Sequence, residues 1–262
     1  MEVTVETITP AIAAALLANN PENRKVKRRH VDQFVRDLRS GMFQVNGDTI
    51  RIATDGSLLD GQHRLLACVE TDMPFTSIVV RGLPSEVRAT IDSGSKRTYG
   101  DRLSMRGVPS ANQTAATLSM LASIATNSWT TLRLTPQELD MVFAKHPGVV
   151  HSVQVAAHAF PGVASTLSAV HYIGTYTGVA PRADAFVQVW KTGVPTYHND
   201  PAHYLREMLI KTKNQSTRLT PEARAKLIVV AWNKFAAGIQ VRALKLPDTV
   251  SISGWSRSDL GL

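Results

Sequence analysis

The sequence predicts an α+β chain: a small α+β domain first, then an all-helical one. Three observations carry this expectation. Residues 49–53, Thr49-Ile50-Arg51-Ile52-Ala53, alternate polar and apolar side chains around a period of two, and Asp55-Gly56 behind them is a hairpin turn signal. Residues 75–80 form a β-branched run, the mark of a half-buried strand. From Ser110 to Gly238 the chain carries helix starts and stops instead. The period and the composition change together over residues 101–109, so the expected domains are 1–107 and 108–262.

Each element has its own local reason. Thr9-Pro10 sets a capping hydroxyl before a proline at the first helical position, and the alanine-rich residues 11–18 follow as helix formers. Residues 30–40 form a helix of alternating charge. Ser57-Leu58-Leu59-Asp60 returns from the turn as the hairpin's second strand, and residues 64–71 make a helix between it and the strand at 75–80. In the helical region the Thr-Pro device recurs at Thr135-Pro136, where Glu138 completes a capping box, and at Thr220-Pro221, with Asp200-Pro201 as its carboxylate form. Ser110 and Gln113 are expected to form a further capping box. Gly193 and Gly238 stop their helices, giving five to seven helices in all.

With 262 residues, 44% of them hydrophobic and 19% charged, the chain can bury a sizeable core without staples. Cys68 is its one cysteine, so no internal disulfide or cysteine-based zinc framework can form, and a reducing, cytoplasmic setting is expected. The acidic start Met1-Glu2-Val3-Thr4-Val5-Glu6 lacks the basic stretch of a secretory signal. No apolar run approaches the roughly 18 residues of a membrane span, so no membrane partner is expected.

Charge gives the first positive indication. Lys and Arg number 29 against 21 Asp and Glu, a net +8. Residues 1–107 hold 15 basic and 13 acidic groups, and residues 108–262 hold 14 and 8, so most of the excess lies in the second domain. Such an excess suits a phosphate-rich partner as well as it suits a solvated face. The candidate DNA contacts are Arg24, Lys25, Lys27, Arg28 and Arg29 in the first domain and Arg206, Lys211, Lys213 and Arg218 in the second, with Arg224 and Lys226 nearby. Trp190 and Trp232 fall on apolar helix faces and read as core, whereas Trp255, in a polar tail, is the tryptophan expected to be exposed.

The most informative stretch is Asp60-Gly61-Gln62-His63-Arg64. Gly61 permits a sharp turn. The amides of the next three residues would then be donors at a helix N-terminus, where the helix dipole favours anions, and Arg64 adds a planar fork of donors. His63 could relay a proton or simply fix the turn; the structural role is the favoured one. The eight histidines show no metal-binding spacing, and no P-loop or hydrolase elbow is present.

Asn23-Arg24, the charged helix, Gly41-Met42-Phe43 with Asn46-Gly47-Asp48, the hairpin, and then Asp60-Gly61-Gln62-His63-Arg64 resemble the ParB/sulfiredoxin superfamily. The similarity is to its phage and mobile-element branch, the ParB-like nuclease domain proteins. It spans roughly residues 20–105 and includes a second element, Ile91-Asp92-Ser93-Gly94-Ser95-Lys96-Arg97-Thr98. The resemblance implies a small mixed-sheet N-terminal domain of phage or mobile-element origin, working in the host cytoplasm. It further implies that Gly61, Gln62, His63, Arg64, Lys96 and Arg97 hold the phosphates of an NTP, CTP or ATP, with Mg²⁺ on Asp60. Sulfiredoxins place a nucleophilic cysteine where this chain has Gln62, which argues against sulfinic-acid reduction, and Cys68 reads as a small buried residue.

The expected function is therefore nucleotide-responsive DNA binding. Two alternatives use the same residues. One is a metal-dependent nuclease or phosphotransferase, an NTPase among them, in which Asp60, His63 and Asp92 bind metal or relay a proton. The other is a module with a degenerate pocket that binds a host protein. Homodimerisation is left open.

Overall fold

The computed structural model describes residues 1–20, 26–91, 98–129, 134–212 and 219–262, and divides the chain into two compact units, 1–96 and 97–262. The fold is mixed α+β: a four-stranded mixed sheet and, among the described residues, eleven α-helices. No described helix is long and apolar enough to cross a membrane.

The first unit runs β1 (Glu2–Ile8), α1 (Pro10–Ala18), α2 (Arg28–Arg39), β2 (Thr49–Ala53), β3 (Leu58–Asp60), α3 (Gln62–Thr71) and β4 (Phe75–Leu83), then a 3₁₀ turn, Ser85–Thr90. Its sheet order is β1-β4-β2-β3; β4 lies antiparallel to β1 and parallel to β2, and β2 and β3 form the antiparallel hairpin. The hairpin turns where Asp55-Gly56 predicted: Gly56 sits at φ +81°, and Asp55 Oδ1 accepts the Ser57 amide at 2.8 Å. The strand β1 went unread in the sequence, although Glu2–Ile8 alternates with period two. Arg81 stands opposite Glu2 in the β1–β4 register and reaches along β1 to pair with Glu6. The core lies between the sheet and α1–α3, with Ile8, Ile50, Leu58 and Val79 from strands and Val31, Leu65 and Cys68 from helices.

The second unit is helical throughout: α4 (Tyr99–Met105), α5 (Ala111–Thr126), α6 (Pro136–Lys145), α7 (Val149–Val155), α8 (Ala164–Tyr176), α9 (Ala180–Thr192), α10 (Pro201–Thr212) and α11 (Pro221–Ala236), closed by a 3₁₀ turn, Arg257–Leu260. Three of the cap predictions hold in atomic detail. Thr135 and Glu138 exchange both capping-box bonds, the Thr220 hydroxyl accepts the Ala223 amide, and Asp200 Oδ1 accepts the Ala202 amide at 2.8 Å. Ser110 does not cap: it lies at φ +51° with no side-chain cap bond, so the expected capping box with Gln113 is absent. Part of the predicted boundary, 101–109, is instead the helix α4, started by a Thr98–Asp101 capping box and packed on α5.

At the centre, α8 is buried from Thr166 to Gly174 and packs on α5, α7, α9 and α11. Trp190 and Trp232 are buried in this core as expected. Trp255 is not exposed. Its indole N–H donates to the Leu121 carbonyl at 2.9 Å, and its ring packs against His146, Tyr172 and Tyr176. This cluster clamps the C-terminal segment. His146 contacts the Asp259 carbonyl through Nε2 at 2.7 Å and the Tyr172 hydroxyl through Nδ1 at 2.8 Å. A carbonyl can only accept, so Nε2 carries the proton and Nδ1 accepts from Tyr172.

Burial pushes the His146 pKa below its ordinary value of 6.5, so the folded clamp holds the neutral ring. The unfolded chain takes up that proton first. The stabilisation is therefore complete above about pH 6.5 and is lost as pH falls toward the lowered folded value, by at most about 1.4 kcal/mol per pH unit for one group. Urea melts followed by tryptophan emission are expected to show a lower midpoint at pH 5.5 than at pH 7.5. In His146→Gln that difference should shrink.

Candidate functional site

The site is built where β3 turns into α3. Asp60 ends the strand, and Gly61 takes φ +108°, a left-handed conformation that turns the chain at once into the helix. A Cβ on Gly61 would lie 3.1 Å from Ile50 Cγ1 on the adjacent strand, so both backbone angle and space select glycine. The Gly61 carbonyl accepts from the Arg64 and Leu65 amides and starts the helix. α3 thus begins at Gln62, two residues earlier than the sequence suggested.

Three consecutive polar residues, Gln62, His63 and Arg64, are buried in that first turn, each no more than 8% exposed. Burial of this kind requires hydrogen-bond partners. Gln62 Oε1 accepts from Asn20 Nδ2 at 3.3 Å. His63 Nε2 accepts the Lys27 backbone N–H at 3.1 Å, which leaves Nδ1 to carry the proton of the neutral ring. Arg64 donates to the Asp48 carbonyl at 3.0 Å and to the Thr49 carbonyl at 2.6 Å. The guanidinium thus bridges two main-chain carbonyls and ties the start of β2 to α3. His63 thus accepts a main-chain amide from the start of α2.

The Lys27–His63 bond joins two helix starts. Lys27 is the N-cap residue of α2, and His63 lies in the first turn of α3. The rings of His30 and His63 stand 5.6 Å apart beside it. Two helix dipoles thus bring their positive ends together, next to the exposed Lys27, Arg28 and Arg29. Arg28 pairs with Asp32 and Glu70, both at 2.7 Å, and its guanidinium holds the Glu70 carboxyl below the usual range. Arg29 is exposed and forms no ion pair among the described residues. Sequence reasoning missed Asn20, His30 and the Asp48 carbonyl as parts of this corner; only Asp48 lay within a quoted motif.

The remaining candidates divide. Arg24, Lys25, Asp92, Lys96, Arg97, Lys213 and Arg218 lie outside the described residues. Asp60 Oδ1 accepts the Gly61 amide at 2.7 Å, and no group of three or more His, Cys, Asp or Glu gathers among the described residues. Cys68 is buried, and burial pushes its thiol pKa up, as an inert packing residue requires. Arg206 is turned inward: Nε donates to the Trp190 carbonyl at 3.1 Å, Nη1 pairs with Glu207 at 2.9 Å, and the guanidinium lies over Phe160. It braces α10 against Trp190 of α9 from within. Lys226 pairs with Glu222, while Lys211 stays exposed.

A hydrolase-like order appears in the second unit, where His171 joins Ser152 through Nδ1 and Asp184 through Nε2, both at 2.9 Å. Its burial is inverted. Ser152 is 1% exposed while the Asp184 side chain is 64% exposed. A nucleophile must be reachable by substrate. The trio therefore ties α7, α8 and α9 together. No family model, curated protein or solved structure matches the chain.

Proposed function

We propose that the protein is a nucleotide-responsive DNA-binding protein whose phosphate site is the corner where the N-termini of α2 and α3 meet. The observation that carries this reading is the Lys27 N–H···Nε2 His63 bond, which holds two positive helix ends beside three exposed basic side chains. Gly61 supplies the turn, Gln62 and His63 fix the corner, and Arg64 braces it from behind. The net charge of +8 supports a polyanionic partner. The resemblance of residues 20–105 to the ParB/sulfiredoxin superfamily supports a nucleotide as the second ligand.

A labelled duplex titrated across a salt series tests this. If Lys27 and Arg29, the basic groups of the corner without an ion pair among the described residues, each neutralise one phosphate, affinity falls about 12-fold between 50 and 200 mM salt. The triple alanine variant of these residues should bind weakly and lose most of that salt dependence. Calorimetry with CTP and ATP should show saturable binding by the native chain and a stoichiometry lower by one site in the same variant. Affinity for DNA that does not respond to salt would overturn the reading.

A further inference from the structure

The second unit holds a cleft of about 620 Å³ between α10, the loop before it and Val241. That volume suits a small organic ligand. Its frame is fixed rather than loose. Asp200 is 1% exposed and fully engaged, with Oδ2 accepting the Thr196 amide at 2.9 Å and Oδ1 accepting the Ala202 and His203 amides. The Val241 amide donates to the Asn199 carbonyl at 2.9 Å and closes the floor. Tyr197 stacks on Phe235 at 5.7 Å and presents part of its ring to the cleft.

The charged groups of the cleft differ in how they are engaged. Both Asp200 oxygens accept backbone amides, and Glu207 is engaged by Arg206. Lys211 forms no ion pair among the described residues, so its ammonium is the charged group of the wall left without a partner. The amides of the α10 N-terminus at Ala202 and His203 are occupied, so the anion preference comes from Lys211 and not from the helix end. Two further polar atoms of the lining, Tyr197 Oη and His203 Nδ1, are buried without a partner among the described residues. Buried polar atoms of this kind call for one.

Tyr204 and Lys211 are seven residues apart on α10, about 10 Å along its axis and on one face. An aromatic ring at one end and a cation at the other match a planar heterocycle that carries phosphate. We infer that this cleft binds a nucleotide, its base against the tyrosines and its phosphate at Lys211. The site is separate from the α2/α3 corner and does not depend on it. A free mononucleotide and the phosphorylated end of a strand present the same chemistry.

Calorimetry of the full chain with AMP, CMP, adenosine, ribose 5-phosphate and a 5′-phosphorylated hexanucleotide tests the inference. AMP or CMP should bind saturably, and adenosine and ribose 5-phosphate should each bind at least tenfold more weakly. Lys211→Glu should lower affinity at least tenfold and Tyr204→Leu severalfold, with thermal unfolding unchanged in Lys211→Glu. The Lys27/Arg28/Arg29 triple variant should bind AMP as the native chain does, which separates this site from the corner. Binding of the hexanucleotide alone, still lost in Lys211→Glu, identifies a strand end as the source. Absence of binding by all five probes at millimolar concentration, or binding indifferent to Lys211→Glu, overturns the inference.

Discussion

Arg64→Ala is expected to destabilise the first unit by about 3 kcal/mol, through the loss of two hydrogen bonds from a charged donor and the stranding of their acceptors. The Asp48 and Thr49 carbonyls receive this guanidinium at 3.0 and 2.6 Å in a place where the side chain is 8% exposed. Arg64→Lys should recover only part of the loss, because one ammonium lacks the planar fork that reaches both oxygens. All four tryptophans lie in the second unit, so their emission will not report the change. Hydrogen exchange over residues 48–65, with far-UV circular dichroism in urea, will. Ligand binding should fall together with exchange protection. A variant that keeps its protection within about 0.5 kcal/mol of the native chain yet binds no phosphate would show that Arg64 is a ligand and not a brace.

This prediction turns on a distinction the sequence does not make. Strand, glycine and arginine at a helix start describe an open phosphate fork and a buried brace equally well. What separates them is whether two carbonyls sit within reach, and those belong to Asp48 and Thr49, 16 and 15 residues upstream. Local features were legible for the opposite reason. A Thr-Pro cap at Thr9, Thr135 or Thr220 is decided within four residues by one hydroxyl and one amide. The hairpin at Asp55-Gly56 is likewise self-contained. Ser110 failed because its left-handed backbone removes the extended geometry a capping hydroxyl needs, and residue type does not show that. Trp255 failed because its partners, Leu121 and His146, are more than a hundred residues away. The strand β1 could have been read from its alternation.

In the second unit, Gly174→Val is expected to cost about 3 kcal/mol or more, although the backbone at this glycine is ordinary helix. The limit is space. A Cβ there would stand 2.8 Å from the Ala183 Cβ and 2.9 Å from two ring carbons of Trp232, so α8 packs tightly against both α9 and α11 at this residue. Neither neighbour can yield cheaply: the Ala183 Cβ is fixed to the α9 backbone, and the Trp232 ring is packed edge-to-face on Phe186 at 5.5 Å. Gly174→Ala gains about 1 kcal/mol of helix propensity and loses more to overpacking, so it too should destabilise, by less. Ala183→Gly removes one of the opposing atoms and should recover part of the Gly174→Ala loss in a double-mutant cycle. Urea melts followed by tryptophan emission read the effect directly, since Trp190 and Trp232 report this core. Gly174→Ala without destabilisation would mean that the three helices stand further apart than the packing around Ala183 and Trp232 requires.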